Sequence, residues 1–175
     1  GSEHFTAKLD TFFVEEGDRS NFGVDVTGLI GQYAHGNEPS HHIAYLYNYV
    51  GHQEKCAERV RQILTELYFD DHSGVCGNED AGQMSAWYVL SAIGLYQVDP
   101  AAGEFQFGSP IVHKATLNVG GGKNFTVIAH NNSMENIYIQ DVKLNGKPHA
   151  GTSITYDQIK AGGTLEFTMG ATPVK

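Results

Sequence analysis

Two short polar runs hold most of the side chains able to do chemistry. The first is His35-Gly36-Asn37-Glu38-Pro39-Ser40-His41-His42, placed just before an apolar periodic stretch. Asn37 could cap a helix and Glu38 could favour its positive end, which leaves three histidines unexplained. A zinc site asks for imidazoles one turn apart, as in His-x-x-x-His. His41 and His42 are adjacent and project about 100° apart on a helix. Oxygen donors from Asn37 and Glu38, joined by a backbone carbonyl, suit a hard cation such as calcium better. The second run is Gly77-Asn78-Glu79-Asp80-Ala81-Gly82-Gln83, a glycine-flanked loop that delivers carboxylates to the start of another helix. Asp80 could simply cap that helix. Repetition shifts the balance, because two loops each bring acidic and amide groups to a helix start, and loops on one rim of a helical scaffold are where function sits. Paired carboxylates at a concave rim fit glycoside hydrolysis, where one protonates the leaving oxygen and the other activates water or attacks carbon. A Gly-x-Ser-x-Gly elbow, a Walker loop and a dinucleotide fingerprint are all missing from the sequence.

The elements that must position these runs change character near Gly94 to Pro110. Before it, Ile43, Leu46, Tyr47 and Val50 recur at helical spacing, with Pro39 just inside the start and Gly51 just past the end, predicting a helix of about three turns. A second, amphipathic helix follows, with Cys56, Val60, Ile63, Leu64 and Leu67 on one stripe and Glu54, Lys55, Glu58, Arg59 and Arg61 largely elsewhere. A third spans about Gln83 to Ile93, uncharged around its circumference, and is expected to be buried on most sides. Beyond Phe105, alternation predicts strands at 116–119, 125–129, 137–140, 142–144 and 164–169. Asn145-Gly146 reads as a hairpin turn and Gly120-Gly121-Gly122 as another turn. Leu165, Phe167 and Met169 form one apolar face of the last strand.

Composition narrows the class. With 20 acidic and 11 basic side chains the formal charge is −9, which argues against nucleic acid as a partner. No apolar run approaches the ~18 residues of a membrane span. Cys56 and Cys76 have neither the density of a disulfide scaffold nor Cys-x-x-Cys spacing. The opening Gly1-Ser2 reads as an expression scar, with any targeting signal lost.

Three segments, GLIGQYAHGNEPSHHIAYLYNYVG (28–51), GNEDAGQMSAWYVLSAIGLY (77–96) and FGSPIVHKATLNVGGGKNFTVIAHNNSMENIYIQDVKLNGKP (107–148), closely resemble the C-terminal part of glycoside hydrolase family 92. That family consists of calcium-dependent, inverting, exo-acting α-mannosidases, mostly of glycan-foraging bacteria. The resemblance implies an α+β fold: the last helices of an (α/α)6 catalytic barrel over residues 3–98, then a small antiparallel β-sheet or sandwich region over 99–175. It makes Asp80 the general base that deprotonates the attacking water. It assigns Asn37 and Glu38 to the calcium-binding loop, and His35, Gln83 and Asn78 to substrate contacts. Asn78 stands where some relatives carry a second aspartate, and Gly36 where some α-1,2-specific members carry glutamate. The family's proton-donating glutamate lies upstream, and nothing like its segment precedes Phe5 to Val14. The implied partners are a mannose-containing glycan and the remainder of the parent chain, in a periplasmic, secreted or cell-surface setting, with the isolated chain inactive. Two other readings stand beside this one. The strands from Phe105 could form a carbohydrate-binding module presenting Phe125, Tyr138 and Phe167, although their alternation more often marks a core face. Alternatively, Asn37, Glu38 and Asp80 could be caps in a region that binds nothing.

Overall fold

A computed structural model describes residues 1–18, 23 and 26–174. Helix α1 (Ser2–Val14) buries Thr6, Leu9 and Phe13, spaced so that all three fall on one face. The sequence reading assigned no helix there. A two-residue hairpin, β1 (Leu29–Ile30) and β2 (Tyr33–Ala34), closes against the end of α1. Gly31 makes this docking possible: its φ is +59°, and a Cβ there would lie 2.6 Å from the Phe13 carbonyl carbon.

The helix predicted over 43–50 is wound more tightly than expected. Glu38–Ser40 forms a single 3₁₀ turn, and Ile43–Val50 forms a 3₁₀ helix rather than three α turns. In 3₁₀ winding i and i+3 eclipse, so Ala44 stacks with Tyr47 and Tyr45 with Asn48 to form the buried rows. Ile43, Leu46 and Val50 are only half-buried. Gly51, at φ +83°, ends the segment in the left-handed conformation. Helix α2 (Gln53–Glu66) packs against it and buries Cys56, Val60, Ile63 and Leu64 of its predicted stripe together with Ala57, while Leu67 follows the helix and is half-buried. Arg61 is the exception, buried rather than solvated. Its guanidinium donates to Ser109 Oγ, to the carbonyls of Pro110 and Ser133, and to Asn132 Oδ1, at 2.6–3.2 Å. These neutral acceptors replace water, and burial lowers its pKa to about 10. Helix α3 (Gln83–Ala92) buries Met84, Trp87, Ser91 and Ala92 but leaves Ser85, Ala86 and Val89 exposed, so burial on most sides is not what is observed.

The C-terminal half is largely sheet. Strands β5 (Lys114–Gly120), β6 (Lys123–His130), β10 (Gly163–Gly170), β7 (Tyr138–Leu144) and β8 (Lys147–Pro148) lie side by side in that order. All neighbours are antiparallel except β6 and β10, which run parallel. The two strands predicted at 137–140 and 142–144 are one, β7. Its register against β10 shifts between Asp141 and Ile139, and this bulge flips the side-chain parity that the sequence displays as a break. Asn145 and Gly146, at φ +52° and +75°, make the β7–β8 turn, and Gly121-Gly122 makes the β5–β6 turn. A smaller sheet joins β3 (Leu95–Tyr96), β4 (Glu104–Phe107) and β9 (Ser153–Thr155), the last leading into the short helix α4 (Tyr156–Lys160). The apolar faces of both sheets, with Leu95, Phe107, Phe125, Ile154, Leu165 and Phe167, share one core. A second core lies among α1, α2, α3 and the 3₁₀ segment. Phe125 and Phe167 are fully buried, so neither ring is an exposed sugar platform, and half-buried Tyr138 donates to Glu58 Oε1.

Candidate active site

Glycine-to-glycine packing brings the two polar runs together. A Cβ on Gly77 would sit 2.6 Å from Gly36 Cα and 2.7 Å from its carbonyl oxygen, so the backbones touch where neither residue has a side chain. A Cβ on Gly28 would lie 3.3 Å from Gly36 N, and Gly36 N donates to Thr27 O at 3.1 Å, which completes a layer of close backbone contacts. A second link lies six residues past Gly77, where Gln83 Nε2 donates to His41 Nδ1 at 3.1 Å. Asp80 stands midway between these anchors, so both ends of its loop are fixed to the first run.

Behind the loops is a neutral hydrogen-bonded scaffold. Tyr68 Oη donates to the Met84 carbonyl at 3.1 Å, so its oxygen must accept from His35 Nε2 at 2.6 Å, and His35 Nδ1 in turn accepts from Tyr33 Oη at 2.7 Å. His41 Nε2 donates to the His35 carbonyl at 2.9 Å, leaving Nδ1 to accept from Gln83, and the indole of Trp87 donates to the His41 carbonyl at 3.0 Å. Burial holds both histidines neutral: the His35 pKa falls to about 3, and that of His41 is also lowered, against a smaller opposing pull from its bond to the His35 carbonyl and the nearby Glu38 charge. His35 stacks on His41 at 4.6 Å and meets Trp87 edge-on at 4.4 Å.

The residues named from sequence divide accordingly. His35 is buried with both ring nitrogens engaged by tyrosines, so its ring supports the site from behind. Glu38 and Gln83 line one cleft of about 340 Å³, walled by His42, Trp87, Tyr96 and Val98. Asn37, Asn78 and Asp80 are exposed on the same two runs and do not line that cleft. The alternative capping roles are not realised. Asn37 stands before the Glu38–Ser40 turn without a side-chain bond to it, and Gly82, not Asp80, precedes α3. Among the described residues no hydrogen bond or ion pair engages the Asp80 carboxylate. Glu79 caps α3 instead, accepting from Ser85 N at 3.1 and 3.2 Å. Sequence reasoning gave no role to Glu79, His41, Tyr33 or Tyr68. A six-residue cap-to-helix spacing and a tyrosine 33 residues from its histidine have no local signature.

Glu38 Oε1 is buried and has no hydrogen-bond partner among the described residues. A carboxylate oxygen cut off from water without a donor is costly, and a cation is one partner that would relieve it. No three His, Cys, Asp or Glu side chains converge among the described residues, so a cation here would draw on amide and carbonyl oxygens beside Glu38.

The family model described as the glycosyl hydrolase family 92 catalytic domain matches residues 1–171. The chain belongs to glycoside hydrolase family 92. A family 92 α-mannosidase of Bacteroides thetaiotaomicron, solved in complex with mannoimidazole, is 40% identical and superposes with a TM-score of 0.95 over 99% of this chain and 23% of its own. A family 92 inverting mannosidase of the same organism is 38% identical, with a TM-score of 0.84 over 99% of this chain and 25% of its own. A relative from Arthroderma benhamiae described as an uncharacterized secreted glycosidase is 33% identical over 138 residues, covering 77% of this chain and 18% of its own. This family 92 chain therefore spans about a quarter of the solved relatives' length.

Proposed function

We propose that the full-length protein hydrolyses terminal α-mannosidic bonds of glycans with inversion, and that residues 3–98 form the last helices of its (α/α)6 barrel, followed by a β region over 99–175. The observation that best supports this is the pairing of two fixed loops: among the described residues, one has a buried Glu38 oxygen without a partner in the cleft that Gln83 also lines, and the other an exposed Asp80 carboxylate without a partner. In the reaction, Asp80 takes a proton from water as the water oxygen bonds to the anomeric carbon on the face opposite the scissile bond. The glycosidic C–O bond breaks, and the leaving oxygen is protonated by an acid from elsewhere in the parent chain. Gln83, its amide nitrogen held by His41, presents its remaining hydrogen-bonding capacity to the sugar, and Asn78 supplies an amide from the Asp80 loop. Asn37 and Glu38 would hold calcium, which would supply a positive charge for sugar hydroxyls to bind and so favour a distorted ring. His35 acts from behind by fixing the first run.

The likeness to an inverting mannosidase supports the stereochemistry, and a secreted relative supports an extracytoplasmic setting. We further propose that the 175-residue chain alone does not turn over mannosides. The test is mannose release by the full-length protein with and without a calcium chelator, following the anomer first formed by NMR. Calcium-dependent release of the β-anomer is expected. Retained turnover in Asp80→Ala, or no mannose release at all, overturns the reading.

A further inference from the structure

We propose that Glu79 is a positioning residue that holds Asp80 in its working orientation, an inference that rests on the role given to Asp80 above. Glu79 brackets the three residues after it from both sides. Its carbonyl accepts from Gly82 N at 3.4 Å, and its carboxylate reaches past them to accept from Ser85 N at 3.1 and 3.2 Å and from Ser85 Oγ at 2.5 Å. Inside the bracket lie Asp80, Ala81 and Gly82, with Ala81 at φ +52° and Gly82 at φ +80°. Two successive left-handed residues, one of them not glycine, are an uncommon conformation that persists where surroundings over-determine it. Core packing does not supply that constraint: Ala81 and Gly82 are exposed, and a Cβ on Gly82 would meet nothing within 4 Å. The Glu79–Ser85 clasp does.

The clasp lies at the surface, with Glu79 and Ser85 both exposed, so its loss takes little from either core. It also sits at the start of α3, an uncharged helix whose free N–H groups favour a carboxylate. Its bonds to Ser85 hold the Glu79 carboxyl below its ordinary range, consistent with an ionised acceptor. What the clasp closes over is the side chain proposed to meet the attacking water. A base displaced by about 1 Å from its productive place loses on the order of 10²-fold in rate. The clasp therefore separates turnover from stability.

The experiment uses the full-length protein with an α-mannoside substrate and compares Glu79→Ala, Glu79→Gln, Asp80→Ala and the double variant Glu79→Ala/Asp80→Ala. Glu79→Ala is expected to lower kcat by about tenfold to 10²-fold, with KM within about twofold and only the small fall in unfolding midpoint that loss of an exposed helix cap brings. Glu79→Gln keeps one acceptor oxygen for Ser85 N and should fall between. In the Asp80→Ala background the Glu79 substitution should cost nothing further, because it acts only through Asp80. Full kcat in Glu79→Ala beside an inactive Asp80→Ala, multiplicative losses in the double variant, or a kcat loss matched by unfolding would each overturn the clasp alone. Full turnover in Asp80→Ala would overturn the assignment of the base, and the clasp's role with it.

Discussion

Replacing Gly77 by alanine puts one methyl group into the contact that joins the two polar runs. The added carbon would lie 2.6 Å from Gly36 Cα, 2.7 Å from its oxygen and 3.0 Å from its carbonyl carbon. Carbon pairs settle at about 3.5 Å or more, so the runs must separate by about 0.9 Å at this point. Gly36 has little room to recede, since its own Cβ position already meets Thr27 Oγ1 and lies 3.0 Å from Thr27 O. Overpacking of this kind costs about 1–3 kcal/mol, and a shift approaching 1 Å between Asp80 and the Glu38 loop should lower turnover by about 10²-fold. Gly51→Ala is the control for the steric clash: nothing lies within 4 Å of its Cβ position, although its φ is +83° where that of Gly77 is not positive. It should lose about 1–2 kcal/mol to backbone strain and keep its turnover. The assay pairs denaturant unfolding with steady-state α-mannoside hydrolysis in the full-length protein. If Gly77→Ala keeps both its stability and its rate, the glycine contact does not set the distance between the loops.

Three further substitutions probe other parts of the structure. Arg61→Met strands the carbonyl of Pro110 and the amide oxygen of Asn132 in buried surroundings, and should destabilise by about 3 kcal/mol, read as a lower unfolding midpoint. Tyr68→Phe removes the oxygen that accepts from His35 Nε2 and the proton that satisfies Met84 O, at a cost of about 1–3 kcal/mol in the same assay. Glu38→Ala deletes a buried acceptor that has no donor, so calcium-free stability should hold or rise by about 1 kcal/mol, while calorimetric titration should show calcium affinity falling at least tenfold. Loss of calcium-free stability together with unchanged affinity would remove Glu38 from the cation site.

Sequence pattern was a good guide where one periodicity governed one environment. Cys56, Val60, Ile63 and Leu64 of the α2 stripe and the Leu165, Phe167, Met169 face of β10 are buried as read, and the Asn145-Gly146 turn has the positive φ values its residues favour. It misled where geometry departs from the ideal period. In Ile43–Val50 a 3₁₀ winding rotates the buried rows, and in β7 a single bulge reverses the alternation. Arg61 defeated the pattern for a different reason: its burial depends on acceptors contributed by residues 109–133, far from it along the chain. The site shows the same division. Residue types in the two runs disclosed oxygen-rich chemistry, but their meeting depends on three glycines whose shared property is a missing side chain, and a missing side chain signals only that something approaches. What approaches was legible solely by pairing the runs with each other. The capping ambiguity resolves for a related reason: Asp80 and Glu79 are adjacent carboxylates with equal claim to the helix start, and the left-handed turn at Ala81 and Gly82 decides between them. It folds Glu79 back onto Ser85 and leaves Asp80 outside the cap, so the conformation that stabilises α3 is also the one that leaves the other carboxylate exposed and unengaged among the described residues.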